Sequence, residues 1–338
     1  MTTKNKLNAK TILEVVRGFQ PACVVIAGAD LDVFSILRAR PMTAARLAVK
    51  IKGDTRAATV LLDALAALGA LAKGPGRTPF YSVPPALAGV LTETGAHGML
   101  GMIRHQGNCL RKWGELAGVV LSGKPAARRP SVRGAAGDLH SFIQAMHEVS
   151  EPLAGPLISS LGPLRFSRLL DLGGASGTWT IRFLRLNARA RATIFDLPEV
   201  IPMARRTIKK AGLADRVDFA AGSYHADAMP KGHDLAWVSA IAHQNSRAQN
   251  RAMFAKVFAA LDPGGRILIR DVVVDASRTR PVAGALFAVN MLVGTPGGAT
   301  FTFKELQEDL TRAGFEKVKF LRSGEIMDSV ICASRRSR

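Results

Sequence analysis

The chain is short of cysteines, aromatic rings and acids, and each shortage excludes something. Its 338 residues hold three cysteines, Cys23, Cys109 and Cys332. No two of them have metal-ligand or redox spacing, so no metal site is expected and a reducing cytoplasm fits. Aromatic residues make up 6% of the chain, which leaves Ala, Leu and Val to fill most of the core. Lys4, Lys6 and Lys10 are not followed by a short apolar core with a small-residue cleavage site, so no secretory signal is read. The most apolar run, Pro21 to Leu37, carries Asp30 and Asp32 and is too short to span a bilayer. A soluble chain without a membrane partner is expected. Acids number 26 against 46 Lys and Arg, a formal net charge of +20, which favours anionic partners in general. The basic residues are scattered, with small clusters only at Arg128-Arg129, Arg205-Arg206, Lys209-Lys210 and Arg335-Arg336. A solvated basic surface is the simpler reading.

The length suits two domains better than one core. From Lys10 to Leu37 two helices are expected, broken near Gly18 and Pro21. Thr43 is a plausible N-cap for a third, and Leu61, Leu62, Leu65 and Leu68 recur at helical spacing before Gly69 ends a fourth segment. Leu71–Lys73 and Phe80–Val83 read as short strands flanking the turn signal Gly74-Pro75-Gly76-Arg77-Thr78-Pro79. Helices followed by a β-hairpin describe a winged helix. A DNA-reading helix needs donors for bases or phosphates, whereas Ala57 to Leu68 is nearly all Ala, Leu and Val. Burial against another subunit or domain explains it better, and a nucleic-acid partner is not expected. Helices are read over 92–122, a loop over 123–137, and another helix over 138–161 with Phe142, Met146 and Val149 on one face. The expected domains are a winged-helix unit over 1–100, a helical connector over 101–160 and a catalytic domain over 161–338.

Beyond residue 161 the pattern changes to strands alternating with helices, the signature of an α/β doubly wound, Rossmann-like sheet. Strands are read at 168–172, 192–196, 217–220, 234–240, 266–274, 316–321 and 329–333, with helices from 178 and over 198–211, 246–261 and 302–313. Ligands of such sheets sit beyond the carboxyl ends of the strands. There lies Asp171-Leu172-Gly173-Gly174-Ala175-Ser176-Gly177, whose Gly173 and Gly177 let backbone approach a ligand and turn into the helix. A dinucleotide loop spaced G-x-G-x-x-G would place Ala175 and Thr178 where glycines belong, and no Gly-Lys-Ser/Thr ends a P-loop. A carboxylate at Asp171 is awkward beside a pyrophosphate and favourable near a cationic amino acid, as in S-adenosylmethionine. Asp196, at the tip of the next strand, is suited to accept from both ribose hydroxyls; alternatively it caps the helix beginning at Pro198.

His243 follows the fourth strand, Asp271 sits late in the fifth, and Asp328 precedes the last. All three could converge above the active edge. A hydroxyl is a poor nucleophile until its proton is taken, and histidine is the natural base near neutral pH. A carboxylate on the other ring nitrogen would fix the tautomer. His225 and His233 are alternatives in a loop before strand four, and His105 and His147 belong to the connector.

These residues together resemble the small-molecule O-methyltransferases typified by caffeate, flavonoid, acetylserotonin, polyketide and carotenoid enzymes. The resemblance rests on Asp171 to Gly177, on Phe195-Asp196-Leu197-Pro198, on Leu61 to Gly69, on Ala260-Leu261 through Gly265 and on Pro296-Gly297-Gly298, and it covers nearly the whole chain. It implies S-adenosylmethionine as cofactor, a small-molecule acceptor and a homodimer paired through the N-terminal domain. It places His243 on the base and Asp271 and Asp328 on the flanking acids. Asp171, Gly173, Gly174, Gly177, Asp196 and Leu197 fall on the cofactor site, Ser150 on a contact to the cofactor's carboxylate, and Phe142 and Met146 on cofactor or substrate positions. Asn245 and Asn290 are further acceptor-side candidates. Departures concern the pocket. The usual His-Asp-Trp is His243-Gln244-Asn245, the adenine-contacting acid and Met are Ser223 and Tyr224, and a strand-four lysine is Ser239. O-methylation of a hydroxyl or phenol is therefore expected, with S- or N-methylation as the nearer alternative. An RNA methyltransferase would explain the charge, but Ala240-Ile241-Ala242-His243 is not the Asn/Asp-Pro-Pro-aromatic segment of base-amine methylation. A non-catalytic winged-helix regulator is the third reading.

Overall fold

The computed structural model describes residues 7–93 and 97–337; Lys4 and Lys6 lie outside them. The chain divides into two compact units, Met1–Leu110 with Arg129–Glu148, and Arg111–Arg128 with Val149–Arg338.

The first unit opens with α1 (Ala9–Arg17) and α2 (Phe19–Asp30), separated at Gly18, and α3 (Val33–Ala39). Pro21 does not break a helix, because it falls in the first turn of α2, where its missing N–H is an orphan in any case. The second break comes instead at Asp32, held at φ 57°. By length and composition alone Ala9–Asp30, 22 residues, passes for a membrane-crossing helix, so the longest apolar stretch begins earlier than Pro21. Strand β1 (Met42–Thr43) leads into α4 (Ala44–Ile51), capped by Thr43, and α5 (Thr55–Ala67) follows, capped by Asp54. The hairpin β2 (Ala72–Lys73) and β3 (Phe80–Ser82) joins β1 in the order β1-β3-β2. The two-residue β1 is too short to carry an alternation signal. Leu62 and Leu65 of α5 pack with Phe34, Leu37, Leu47 and Tyr81; part of this helix's apolar surface is thus spent on its own core. Next along the chain come α6 (Leu100–Trp113) and the long α8 (Gly134–Ser160), each of which runs from one unit into the other, and between them α7 (Leu116–Ser122), which belongs to the second unit.

The second unit is built on β4 (Arg168–Leu172), α9 (Thr178–Leu186), β5 (Arg191–Asp196), α10 (Ile201–Lys210), β6 (Val217–Ala221), β7 (His233–Ser239), α11 (Arg247–Ala260) and β8 (Leu261–Asp271). It ends with β9 (Val273–Val274), α12 (Val282–Gly294), β10 (Phe301–Thr302), α13 (Phe303–Arg312), β11 (Glu316–Arg322) and β12 (Ser329–Ser334). The seven-stranded sheet runs β11-β12-β8-β7-β4-β5-β6. Six of the seven strands run in one direction; β12 runs against its neighbours β8 and β11. The order reverses beside β4, the switch point where a ligand crevice opens.

Alternate residues of each strand face opposite layers. Leu170, Leu172, Val238, Ile267 and Ile269 pack on one face with Phe254 and Val257 of α11 and Leu306 and Leu310 of α13. Leu169, Leu235, Trp237 and Leu268 pack on the other with Trp179, Phe183 and Leu184 of α9 and Ala154, Leu157 and Ile158 of α8. Helix α12 has no counterpart in the sequence reading. Its segment, Val-Ala-Gly-Ala-Leu-Phe-Ala-Val-Asn-Met-Leu-Val-Gly, is apolar nearly all round, so no 3.6-residue periodicity stands out.

Candidate active site

The glycine loop leaves β4 at the switch point. Gly173 has φ +64°, and a Cβ there would lie 2.5 Å from Ile241 Cδ1. Gly177, at φ +80°, is the N-cap of α9. Both conformations strain any L side chain, so the loop can be built only with glycine at these points. A Cβ at Gly174 would press on Ile194 and on the Asp171 carboxyl. The loop is tied to β5 twice. Gly173 N–H donates to the Phe195 carbonyl at 2.8 Å, and Ala175 N–H to Asp196 Oδ2 at 2.8 Å.

Asp196 accepts a second backbone bond, from Leu197 N–H to its Oδ1 at 2.7 Å. It does not cap α10, which starts at Ile201 with Val200 as an N-cap lacking any side-chain bond. Burial raises the Asp196 carboxyl, while the two N–H donors hold it down. Each oxygen retains a free lone pair for a hydroxyl donor. Leu197 beside it is exposed. Asp171 is fully enclosed; its Oδ2 accepts from Thr180 Oγ1 at 2.6 Å. Burial pushes its pKa up to about 7, with Thr180 opposing the shift and the Asp196 charge adding to it. A carboxylate in this position favours a cation brought next to it.

After β7 the chain makes a short turn that delivers His243 to the opposite face of the sheet from Asp171. His243 is 6% exposed. Its Nδ1 lies 2.7 Å from Asp271 Oδ1, and its backbone N–H donates to Asp271 Oδ2 at 3.2 Å. The carboxylate can only accept, so in the neutral imidazole Nδ1 carries the proton and Nε2 the lone pair. The edge of the His243 ring meets the Phe287 ring, with centroids 4.8 Å apart. The turn is held from below. Asn250 Nδ2 donates to the Ala242 carbonyl at 2.9 Å, Asn245 Nδ2 donates to Asn250 Oδ1 at 3.1 Å, and Ala299 N–H donates to the His243 carbonyl at 2.9 Å. A Cβ at Gly298 would lie 2.5 Å from that same carbonyl, which gives the Pro-Gly-Gly segment a physical reason.

Several expected residues sit elsewhere. Asn245 is 1% exposed and spends its amide on Asn250, so it props the His243 turn and does not face an acceptor. Asp328 is not brought to His243. Its Oδ2 accepts from Arg322 of the basic strand β11 at 3.2 Å and its Oδ1 from Ile326 N–H at 3.2 Å. Ser239 Oγ is taken by Arg270. Ser223 sits in a turn where its N–H donates to Asp227 Oδ2 at 2.8 Å, and the Tyr224 hydroxyl lies 3.5 Å from Asn245 Oδ1. Ser150 is buried on α8. Phe142 and Met146 belong to the first unit, where the Phe142 ring tilts against His105. Asn290 is one helical turn beyond Phe287 on α12, and its Oδ1 accepts from Trp113 Nε1 at 2.9 Å. His233 is buried in the core beside Thr193 Oγ1 at 3.0 Å. Sequence reasoning missed Thr180, Phe287, Trp113, Asn250 and Arg270. Only Arg270, a charge between the apolar runs Ile267-Leu268-Ile269 and Val272-Val273-Val274, carried a visible signal.

A tight acid-flanked glycine loop on one side of the strand tips and a buried His–Asp pair on the other define a group-transfer enzyme of the methyltransferase class. An O-methyltransferase domain model matches residues 132–316. The tetracenomycin polyketide synthesis 8-O-methyl transferase TcmO of Streptomyces glaucescens is 30% identical over 315 residues, 91% of each chain. Acetylserotonin O-methyltransferase of Homo sapiens is 26% identical over 328 residues, 93% of this chain and 94% of that one. The crystal structure of human N-acetylserotonin methyltransferase in complex with SAM superimposes with a TM-score of 0.80 at 24% identity, covering 100% of both chains. The chain belongs to the O-methyltransferase domain family, and it is a methyltransferase acting on small molecules.

Replacing Asn250 by Ala removes the donor to Ala242 O and strands the buried Asn245 amide. Each unmet buried group costs about 1–3 kcal/mol, so chemical denaturation of Asn250→Ala is expected to register a loss in that range, with a fall in turnover as His243 loses its support. An unchanged midpoint and unchanged turnover would contradict the role given to this network.

Proposed function

We propose that this chain transfers a methyl group from S-adenosylmethionine to a hydroxyl, most simply a phenol, of a small molecule, with His243 as the general base. The observation that carries the reading is the 2.7 Å contact between His243 Nδ1 and Asp271, which leaves Nε2 as the proton acceptor. The loop residues fit the cofactor. Gly173 and Gly174 leave a cradle that side chains would fill, Asp196 keeps lone pairs for ribose hydroxyls, and Asp171 favours a cation. When bound, S-adenosylmethionine supplies an activated methyl on a sulfonium, which needs only proximity and in-line alignment with a nucleophile. His243 Nε2 accepts the acceptor's hydroxyl proton as the new carbon–oxygen bond forms. Asp271 holds the ring in one tautomer and stabilises the imidazolium. Phe287 covers the ring and keeps bulk water from it. The O-methyltransferase names of the relatives support a hydroxyl acceptor over a thiol or amine.

Two copies pair through the N-terminal unit, a reading supported by the exposed Ile12, Leu13, Val15, Val16 and Phe19 of α1 and α2. The cytoplasm is the compartment, in keeping with three free cysteines.

Incubation with labelled S-adenosylmethionine and a pool of phenols, thiols and amines is expected to label a phenol. With that acceptor, His243→Ala lowers kcat by about 10²–10⁴-fold and leaves the cofactor Kd unchanged by calorimetry. Wild-type turnover in the variant would remove His243 as the base.

Asp171 makes cofactor affinity pH-dependent. Its raised pKa of about 7 means that the empty site carries a neutral carboxyl below that pH. A bound sulfonium or ammonium favours the ionised form, so binding releases a proton below pH 7. Affinity is therefore expected to rise with pH through about 7 and then level off, and Asp171→Asn removes the rise. Calorimetry in buffers of different ionisation enthalpy reads this directly, and an affinity that falls over the same window would contradict it.

Light scattering of the purified protein is expected to give the mass of two chains, and Val16→Asp with Phe19→Asp the mass of one. A wild-type monomer that floats with neutral liposomes would assign the apolar face to a bilayer and overturn the dimer.

A further inference from the structure

The penultimate residue of β8 is an arginine that directly follows the apolar run Ile267-Leu268-Ile269. Arg270 is 4% exposed. Its guanidinium lies over the Trp179 ring, 4.7 Å from the centroid, and its Nη1 donates to Ser239 Oγ at 2.9 Å. Its Nε is buried with no partner. Asp271 and Asp328 attract it through space, yet among the described residues no carboxylate is paired with it, and burial pushes its pKa down to about 10. A buried cation with an unmet donor is expensive unless something anionic completes it.

The sheet register says where that anion would lie. Arg270 is in register with Ser239, and two positions earlier Trp237 is in register with both Asp171 and Leu268. Arg270 therefore shares its face with Leu268, Trp237 and Asp171, the face packed against α9 and the end of α8. Asp271, one residue on, faces the other way, toward His243. The strand order separates β8 from β4 by one strand, so Arg270 and Asp171 start roughly 10 Å apart across the sheet. Both are level with the strand tips from which the glycine loop departs. One sheet face thus carries a buried carboxyl that favours a cation and a buried guanidinium that lacks an anion. An α-amino acid is the zwitterion complementary to that pair. The acceptor must meet His243 on the far face, so an anionic acceptor group is the poorer match.

We propose that the Arg270 guanidinium receives the α-carboxylate of the cofactor's methionine moiety, with Ser239 orienting it and Trp179 supporting it. The proposal rests on S-adenosylmethionine being the cofactor. Arginine suits the task because its planar fork can bond Ser239 and a carboxylate at once.

The test compares S-adenosylmethionine with its decarboxylated analogue, which keeps the sulfonium and the amine, by calorimetry. Wild type is expected to bind the decarboxylated compound about 10- to 100-fold more weakly, the range for one charge-assisted pair. In Arg270→Gln the affinity for S-adenosylmethionine falls to that of the analogue, while the analogue's affinity is unchanged. Arg270→Lys restores part of the difference. Equal affinities in wild type, which need no variant at all, overturn the proposal, as does an Arg270→Gln protein that loses both ligands alike and so has only lost the support of Trp179. A wild-type protein that binds neither compound overturns the cofactor reading itself.

Discussion

The contact between His243 and Asp271 depends on one geometric fact, the parallel register of β7 and β8. Ser239 lies opposite Arg270, so the turn that leaves β7 arrives just above Asp271. Both oxygens of that carboxylate are then engaged by the turn, one by the ring and one by the backbone N–H. A slip of one residue would turn Asp271 to the other layer and put Arg270 in its place. The burial of Ile267 and Ile269 against α11 and α13, and of Leu268 against Trp179 and Trp237, forbids that slip. Hydrophobic packing several residues away thus fixes the geometry of the His243–Asp271 pair.

The same alternation divides the chemistry between two faces. On the α9 face lie Asp171 with Thr180, Ser239 and Arg270; on the α11 face lie His243, Asp271 and the Asn245–Asn250 support. The strand tips between them carry the glycine loop and Asp196. The two tasks proposed for this site, proton removal from the acceptor and recognition of the cofactor's amino acid end, thereby fall to opposite faces of one sheet. That separation lets the pKa of Asp171 be set by burial and Thr180, independently of the imidazole.

The parallel strands and their helices were legible from the sequence because each carries its own period and turn signal. The glycine loop and Asp196 were legible because the constraint is local. Gly173 must avoid Ile241, and Asp196 holds Ala175 from the next strand tip. What stayed hidden was non-local or featureless. Helix α12 is too uniformly apolar to show a face, so Phe287 and the Asn290–Trp113 pair could not be placed. Asn245 looked like a pocket residue by its position, but Asn250, five residues on, captures its amide. Asp328 was read as a second acid flanking the base. Only the fold reveals that Arg322 on the neighbouring strand occupies its carboxylate.

The central claim is that His243 Nε2 is the atom that accepts the acceptor's proton. A crystal structure of the ternary complex with S-adenosylhomocysteine and the phenol found by the labelling screen tests it most directly. The account predicts the reacting oxygen within hydrogen-bond reach of Nε2, about 2.6–3.2 Å, with Nδ1 still on Asp271. A reacting oxygen held by any other group, with Nε2 turned away from it, would contradict the account.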